Sequence, residues 1–243
     1  MPNLIKKKDE ATRTISDAYD YIKYPWIVIM GTALSQGIEA FYKCLISFRQ
    51  PHGFITISHS LIALVIFLAT FFRIYLGDSK YFTLSQNLAL DAQSTGNRKV
   101  FNRIFSRKRR TFDTFFLFLM AVSFVFLALS ITRPHAFTLA YLALLLTNVI
   151  WLRMISNESH KDEEDVSKHL KVWIMNNFLH FVLILAAFLF SYGSSASFVG
   201  YVIFLLMATN IVFDFYFTSS FYFPDADDFL QVDPETPKPR FPI

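Results

Sequence analysis

Charged side chains interrupt the apolar segments of this chain. Arg73 stands in the run "ATFFRIYLGDSKYF", and Arg153 and Asp214 stand in two further apolar segments. An ionised side chain costs free energy in lipid hydrocarbon, so such residues normally turn towards protein or water and pair with one another. Asp214 is the natural partner of Arg73 or Arg153. Two arginines against one carboxylate would leave excess positive charge, which could hold an anion; alternatively, both arginines extend to lipid headgroups.

These three residues are predicted to share one depth. At a rise of about 1.5 Å per residue, each lies about 24 to 27 Å from the outer end of its segment. Asparagines and a histidine fall at nearby levels on the same or neighbouring segments, and together they define a polar layer near the inner face. The predicted inner layer consists of Arg73, Arg153, Asp214, Asn148, Asn176, Asn177, His180 and Asn210.

A second polar pattern lies in the first apolar segment. In "ALSQGIEAFYKC", Gln36, Glu39 and Lys43 recur at spacings of three and four, which places them on one face of a helix. Glu39 and Lys43 can therefore pair along the helix. The stripe serves either as a polar clamp between helices or as the lining of a hydrated pathway.

A strongly basic segment follows the second apolar segment. Residues 79–112 carry eight Lys or Arg against one Asp, and "RKVFNRIFSRKRR" also has an apolar stripe at helical spacing. This combination is typical of a helix that lies on anionic lipid. Clustered charge could also bind an acidic protein or anionic ligand, whereas nucleic acid is not expected because no stacking platform accompanies it. The residues predicted to bind anionic lipid or a partner are Arg98, Lys99, Arg103, Arg107, Lys108, Arg109 and Arg110.

The elements that must position these residues are long apolar segments. The chain has 243 residues, of which 53% are hydrophobic, and a mean hydropathy of +0.38, more apolar than the core of a soluble domain can hide. Segments of about 20 apolar residues can span a membrane. The sequence predicts an all-α polytopic membrane bundle with about six transmembrane helices, near 25–48, 55–76, 114–132, 136–156, 172–192 and 198–219. If the first of these lies flat on the membrane, five spans remain.

The distribution of basic residues predicts the topology. With the amino terminus inside, 18 Lys and Arg fall in inner segments and two fall in outer loops, as the positive-inside rule requires. Both termini are thus expected in the cytoplasm. The predicted organisation is an N-terminal segment, 1–24, a transmembrane bundle, 25–219, with a basic loop at 79–112 and an acidic loop at 157–171, and an acidic, Pro-containing tail, 220–243.

No catalytic or metal-binding motif accompanies these segments. Cys44 is the only cysteine, and His160 and His169 are nine residues apart, which does not place two ligands on one helical face. No enzyme activity, cofactor or metal is therefore expected. A shift of 141 residues lays Arg73 on Asp214 and aligns several aromatic residues around them, which is either a weak internal repeat or compositional coincidence.

Three functional interpretations follow. The first is an oligomeric, channel-like subunit in the plasma (inner) membrane, gated or recruited through its charged cytoplasmic loops, with the bilayer's anionic headgroups as partners. The second is a non-conducting anchor or regulatory subunit for a cytoplasmic protein. The third is a small secondary transporter, although Gly and Pro residues do not mark broken helices at matched positions.

Overall fold

The protein is all helical across the residues that the computed structural model describes, 2–46, 53–158, 164–193 and 197–222. This confirms the predicted fold class. Parts of the predicted outer turns and of the acidic loop, and nearly all of the tail, lie outside these residues. The helices are α1 Pro2–Ile46, α2 Gly53–Ser94, α3 Arg98–Ile104, α4 Arg107–Leu129, α5 Pro134–Glu158, α6 Glu164–Gly193 and α7 Ser197–Tyr222.

Within the described residues, five stretches are long and apolar enough to cross a membrane: Ser58–Ser94, Arg98–Leu129, Pro134–Ser156, His169–Ser191 and Phe198–Thr218. The remaining long helix, α1, has 45 residues with Pro25 inside it, and it packs along α2 and α4. The predicted first span, from residue 25, is therefore only the second part of a longer helix. The described part of the bundle thus contains six long helices, including α1.

The second helix extends much further than the sequence predicted. Instead of ending near residue 76, α2 continues to Ser94, where the chain turns at Gly96 with φ of +70°. The helix continues because apolar side chains still point into the bundle after residue 80: Phe82, Leu84 and Ala89 are all buried. Much of the predicted basic loop is consequently helical, and Asn97 and Ser106 cap the short α3 and the longer α4.

The six long helices form a closed ring in the order α1, α2, α7, α6, α5 and α4, with α4 returning to α1. Helix α2 also contacts α4 and α5, so it reaches into the middle of the ring. Large side chains fill the interior, among them Phe67, Phe124, Tyr141 and Trp151. Many outward side chains are apolar as well, as expected for a bundle whose surface faces lipid.

A glycine permits the close approach of α2 and α6. A Cβ added at Gly77 would lie 2.1 Å from a ring carbon of Trp173, which is itself buried. We expect Gly77→Ala to lower thermal stability in detergent, by about 1 to 3 kcal/mol, because the overlap forces the indole or the helix to move. Gly31→Ala is the matched control, since nothing lies within 4 Å of its added Cβ. Equal stability of the two variants would contradict this packing.

Candidate functional site: two buried ionic networks

Arg73 is the centre of a buried ionic network inside the bundle. Helix α2 carries it into the middle of the ring, where the residue is 0% exposed. Its Nε lies 3.5 Å from Oδ2 of Asp214, whose side chain is also fully buried. The guanidinium further donates from Nη1 to Oδ1 of Asn210 and from Nη2 to Oδ1 of Asn177, the latter at 2.9 Å. The charge is thus matched by one carboxylate and two amide oxygens.

The two amides that hold Arg73 are themselves tied together. Asn210 donates from Nδ2 to Oδ1 of Asn177 at 3.3 Å, and it accepts at Oδ1 from the hydroxyl of Tyr141 at 3.0 Å. Asn176 donates to the backbone carbonyl oxygen of Asn210 at 3.0 Å. The network therefore joins α2, α5, α6 and α7, and it fixes their register because each polar group would be costly to bury alone.

His180 extends the network along α6. Its Nδ1 lies 2.9 Å from the carbonyl oxygen of Asn176, which can only accept, so Nδ1 carries a proton in this contact. Its Nε2 lies 3.3 Å from the hydroxyl of Thr209 on α7. The structure thus brings together Arg73, Asp214, Asn176, Asn177, His180 and Asn210 of the predicted inner layer.

Two members of the predicted layer lie elsewhere. Arg153 is exposed, because Trp151, Leu152 and Ile155 occupy the inward face of α5 and turn its side chain outward. This placement agrees with the alternative that the arginine extends to headgroups. Asn148 is buried on α5, but none of the hydrogen bonds found among the described side chains joins it to Arg73.

Asp78 adds a second carboxyl to this region. It follows Arg73 by five residues on α2 and is 2% exposed, and its Oδ2 is buried without a hydrogen-bond partner among the described residues. Sequence reasoning placed it at the end of the membrane span and assigned it no role. The sequence feature that could have identified it is an aspartate next to Gly77 at the end of an apolar run. The burial of Asp78, however, depends on the continuation of α2 beyond residue 76.

A second network lies near the start of α4 and was not predicted. Arg109 and Asp113 form an ion pair with Nε and Oδ2 3.1 Å apart, and both residues are buried. Arg109 also donates to the hydroxyl of Tyr81 at 2.6 Å, and Trp151 donates from Nε1 to Oδ1 of Asp113 at 3.1 Å. These contacts hold α2, α4 and α5 together, and they give both charged groups hydrogen-bonding partners.

The burial of Arg109 corrects its predicted role. An arginine that is 3% exposed and paired with Asp113 does not reach lipid headgroups or an acidic partner. Arg98, Lys99, Arg107 and Lys108 are exposed, and Arg110 is half-buried. The side chain of Arg103 lies outside the described part of the chain.

The apolar stripe of the basic segment packs against protein. Ile104 is buried, and the ring of Phe105 lies 6.1 Å from that of Tyr19 on α1. The predicted interfacial helix therefore rests on α1 and α2 instead of inserting its stripe into lipid. Burial, followed by the charges of Tyr81 and Asp113, raises the pKa of the Tyr19 hydroxyl, so that hydroxyl stays protonated at neutral pH.

The polar stripe of α1 lies on the outside of the bundle. Nζ of Lys43 and Oε1 of Glu39 are 2.6 Å apart, with side-chain exposures of 71% and 49%, while Gln36 is half-buried. The stripe consequently lines no path through the interior of one protomer. It faces lipid, water or another subunit.

These features define a helical bundle with membrane-spanning character and two buried ionic networks. Among the described residues, no group of three or more His, Cys, Asp or Glu is placed to hold a metal ion. No protein-family model matches the chain, and no curated protein or solved structure matches it significantly.

Proposed function

We propose that the protein is a channel-like membrane protein that conducts cations, protons above all, past the network centred on Arg73. The observation that carries this proposal is the pair of Arg73 and Asp214, both fully buried in a bundle of apolar helices. Burying such a pair costs several kcal/mol per ion before the attraction between the two offsets it. Ionisable residues within membrane bundles commonly mark ion pathways and proton relays.

The buried charges favour a cation over the anion suggested by the sequence. The anion site required two arginines against one carboxylate, but Arg153 lies outside the network. Asp78, five residues after Arg73 on α2, adds a second buried carboxyl group to the interior. A buried carboxyl is neutralised by a proton or by a cation, so Asp78 can accept and release either as it crosses.

In this proposal, the described conformation is the closed state of the channel. Side chains fill the interior, and the guanidinium of Arg73 ties α2 to α6 and α7. Opening requires this guanidinium to leave at least one of its partners, which would admit water beside Asp78. Assembly into a homo-oligomer, with the exposed α1 stripe at subunit contacts, and placement in the plasma membrane are part of the proposal.

Asp78→Asn is expected to reduce proton flux to the level of protein-free vesicles, because an amide keeps the shape of the side chain but neither binds nor releases a proton. The measurement is acidification of proteoliposomes that contain a pH-sensitive dye, under an imposed potential. Glu39→Gln is the control, since it changes an exposed carboxylate whose partner is Lys43. Equal flux through Asp78→Asn and the unchanged protein would overturn the assigned route.

The alternative is a non-conducting anchor for a cytoplasmic protein. It is favoured by the filled interior and by the exposed bases Arg98, Lys99, Arg107 and Lys108. The same proteoliposomes separate the two functions, because an anchor leaves them as tight as empty vesicles. A flux that saturates with one solute would instead indicate a secondary transporter.

A further inference from the structure

A surface groove of about 920 Å³ runs between α1 and α4. None of the residues that line it belongs to either ionic network. Its walls change character along its length, because both helices place polar residues at one end and aromatic residues at the other. Such a surface matches a ligand that is itself polar at one end and apolar at the other.

The polar end of the groove carries two arginines and one aspartate. Arg107 and Arg110 come from the first turns of α4, and Asp17 comes from α1. The Nε of Arg110 is buried and has no hydrogen-bond partner among the described residues, although the guanidinium lies 4.5 Å from the ring centroid of Phe105. Arginine forks bind phosphate oxygens with good geometry, so this end suits a phosphodiester.

The aromatic end of the groove suits acyl chains. Tyr21 of α1 and Phe115 and Phe118 of α4 line it, and they are 80%, 55% and 56% exposed. Phe118 follows Arg107 by eleven residues, or about 16 Å along the helix. A lipid whose phosphate lies at the membrane surface would extend its acyl chains into the adjacent hydrocarbon over a similar distance. The apolar part of the groove thus begins where α4 enters its apolar segment.

We propose that this groove is a binding site for an anionic glycerophospholipid from the surrounding leaflet, such as phosphatidylglycerol. Arg107 and Arg110 hold the phosphate, Asp17 accepts a hydrogen bond from a headgroup hydroxyl, and the acyl chains lie over the aromatic end. Phosphatidylcholine offers neither the net negative charge nor the hydroxyl. The site is independent of conduction, so it stands or falls separately from the proposed function.

The test is native mass spectrometry of the full-length protein in detergent, titrated with phosphatidylglycerol or phosphatidylcholine. We expect phosphatidylglycerol to bind saturably and phosphatidylcholine not to do so. Arg107→Gln with Arg110→Gln should weaken it about 25-fold, since each basic residue near anionic lipid contributes about fivefold. Arg133→Gln with Lys171→Gln removes the same charge from exposed positions outside the groove and should leave binding unchanged. Equal weakening by the two pairs would show only general attraction and overturn the site.

A second variant keeps the arginines and fills the groove. Thr111 is exposed and lines the groove, so Thr111→Trp should exclude the lipid without disturbing the core. We expect phosphatidylglycerol binding to fall at least tenfold while thermal stability in lipid-free detergent is unchanged. Undiminished binding, or equally tight binding of phosphatidylcholine, would refute the proposal. Competition by glycerol phosphate at the lipid's own concentration would show that a soluble phosphate, not a lipid, occupies the groove.

Discussion

Replacing Arg73 by methionine is expected to destabilise the bundle by about 3 to 5 kcal/mol, because Asp214 would remain buried without its cation. The side-chain oxygens of Asn177 and Asn210 would each also lose one of their two hydrogen-bond donors. The measurement is thermal unfolding in detergent, followed by intrinsic fluorescence. Arg153→Met is the matched control: it removes an arginine from another apolar helix, but this side chain is exposed. It should change stability by no more than about 0.5 kcal/mol.

A double substitution separates stability from conduction at the same site. Arg73→Met with Asp214→Leu removes both charges, and replacing a buried ion pair by apolar residues of similar volume is often neutral or stabilising. We expect the double variant to be more stable than Arg73→Met alone and to conduct protons faster than the unchanged protein, because it keeps Asp78 but lacks the guanidinium that ties α2 to α6 and α7. If it conducts like the unchanged protein, the network is a structural clamp only. If it is no more stable than the single variant, the two residues do not act as a pair.

Replacing Asp113 by leucine should likewise cost about 3 to 5 kcal/mol, because Arg109 would be left charged and buried. Trp151 would lose its acceptor at the same time. Asp91→Leu is the control, since it makes the same substitution on an exposed face of α2. The free energies of unfolding of the two variants, measured by thermal unfolding, should therefore differ by most of this loss of about 3 to 5 kcal/mol. Similar unfolding temperatures would show that this network contributes little to stability.

The central network was partly predictable from the sequence. An arginine, an aspartate and several asparagines in apolar segments had to find one another or water, and a constant rise per residue gave Arg73, Asp214 and Asn177 similar depths. Depth does not determine which face of a helix points inward. The inward face of α5 is decided by the packing of Trp151 and Leu152, so the outward placement of Arg153 needed the three-dimensional structure.

The second network shows why local charge can mislead. Arg109 and Asp113 are four residues apart, a spacing at which opposite charges pair on a helix. That signal was obscured because Arg109 belongs to the run "RKRR", in which every residue looked like a surface base. Only the extension of α2 to Ser94, which brings Tyr81 beside α4, explains why one base of the run is buried and its neighbours are exposed.

The unbroken length of α2 has a mechanical consequence. Its 42 residues span about 63 Å, roughly twice the thickness of a bilayer's hydrocarbon. Arg73 sits near the midpoint of this rod, and the stretch from Tyr81 to Ser94 leads on to the exposed bases at the start of α3. A helix without an internal break tilts as one piece. A force applied at the Ser94 end of α2 is therefore transmitted along the helix to the guanidinium of Arg73.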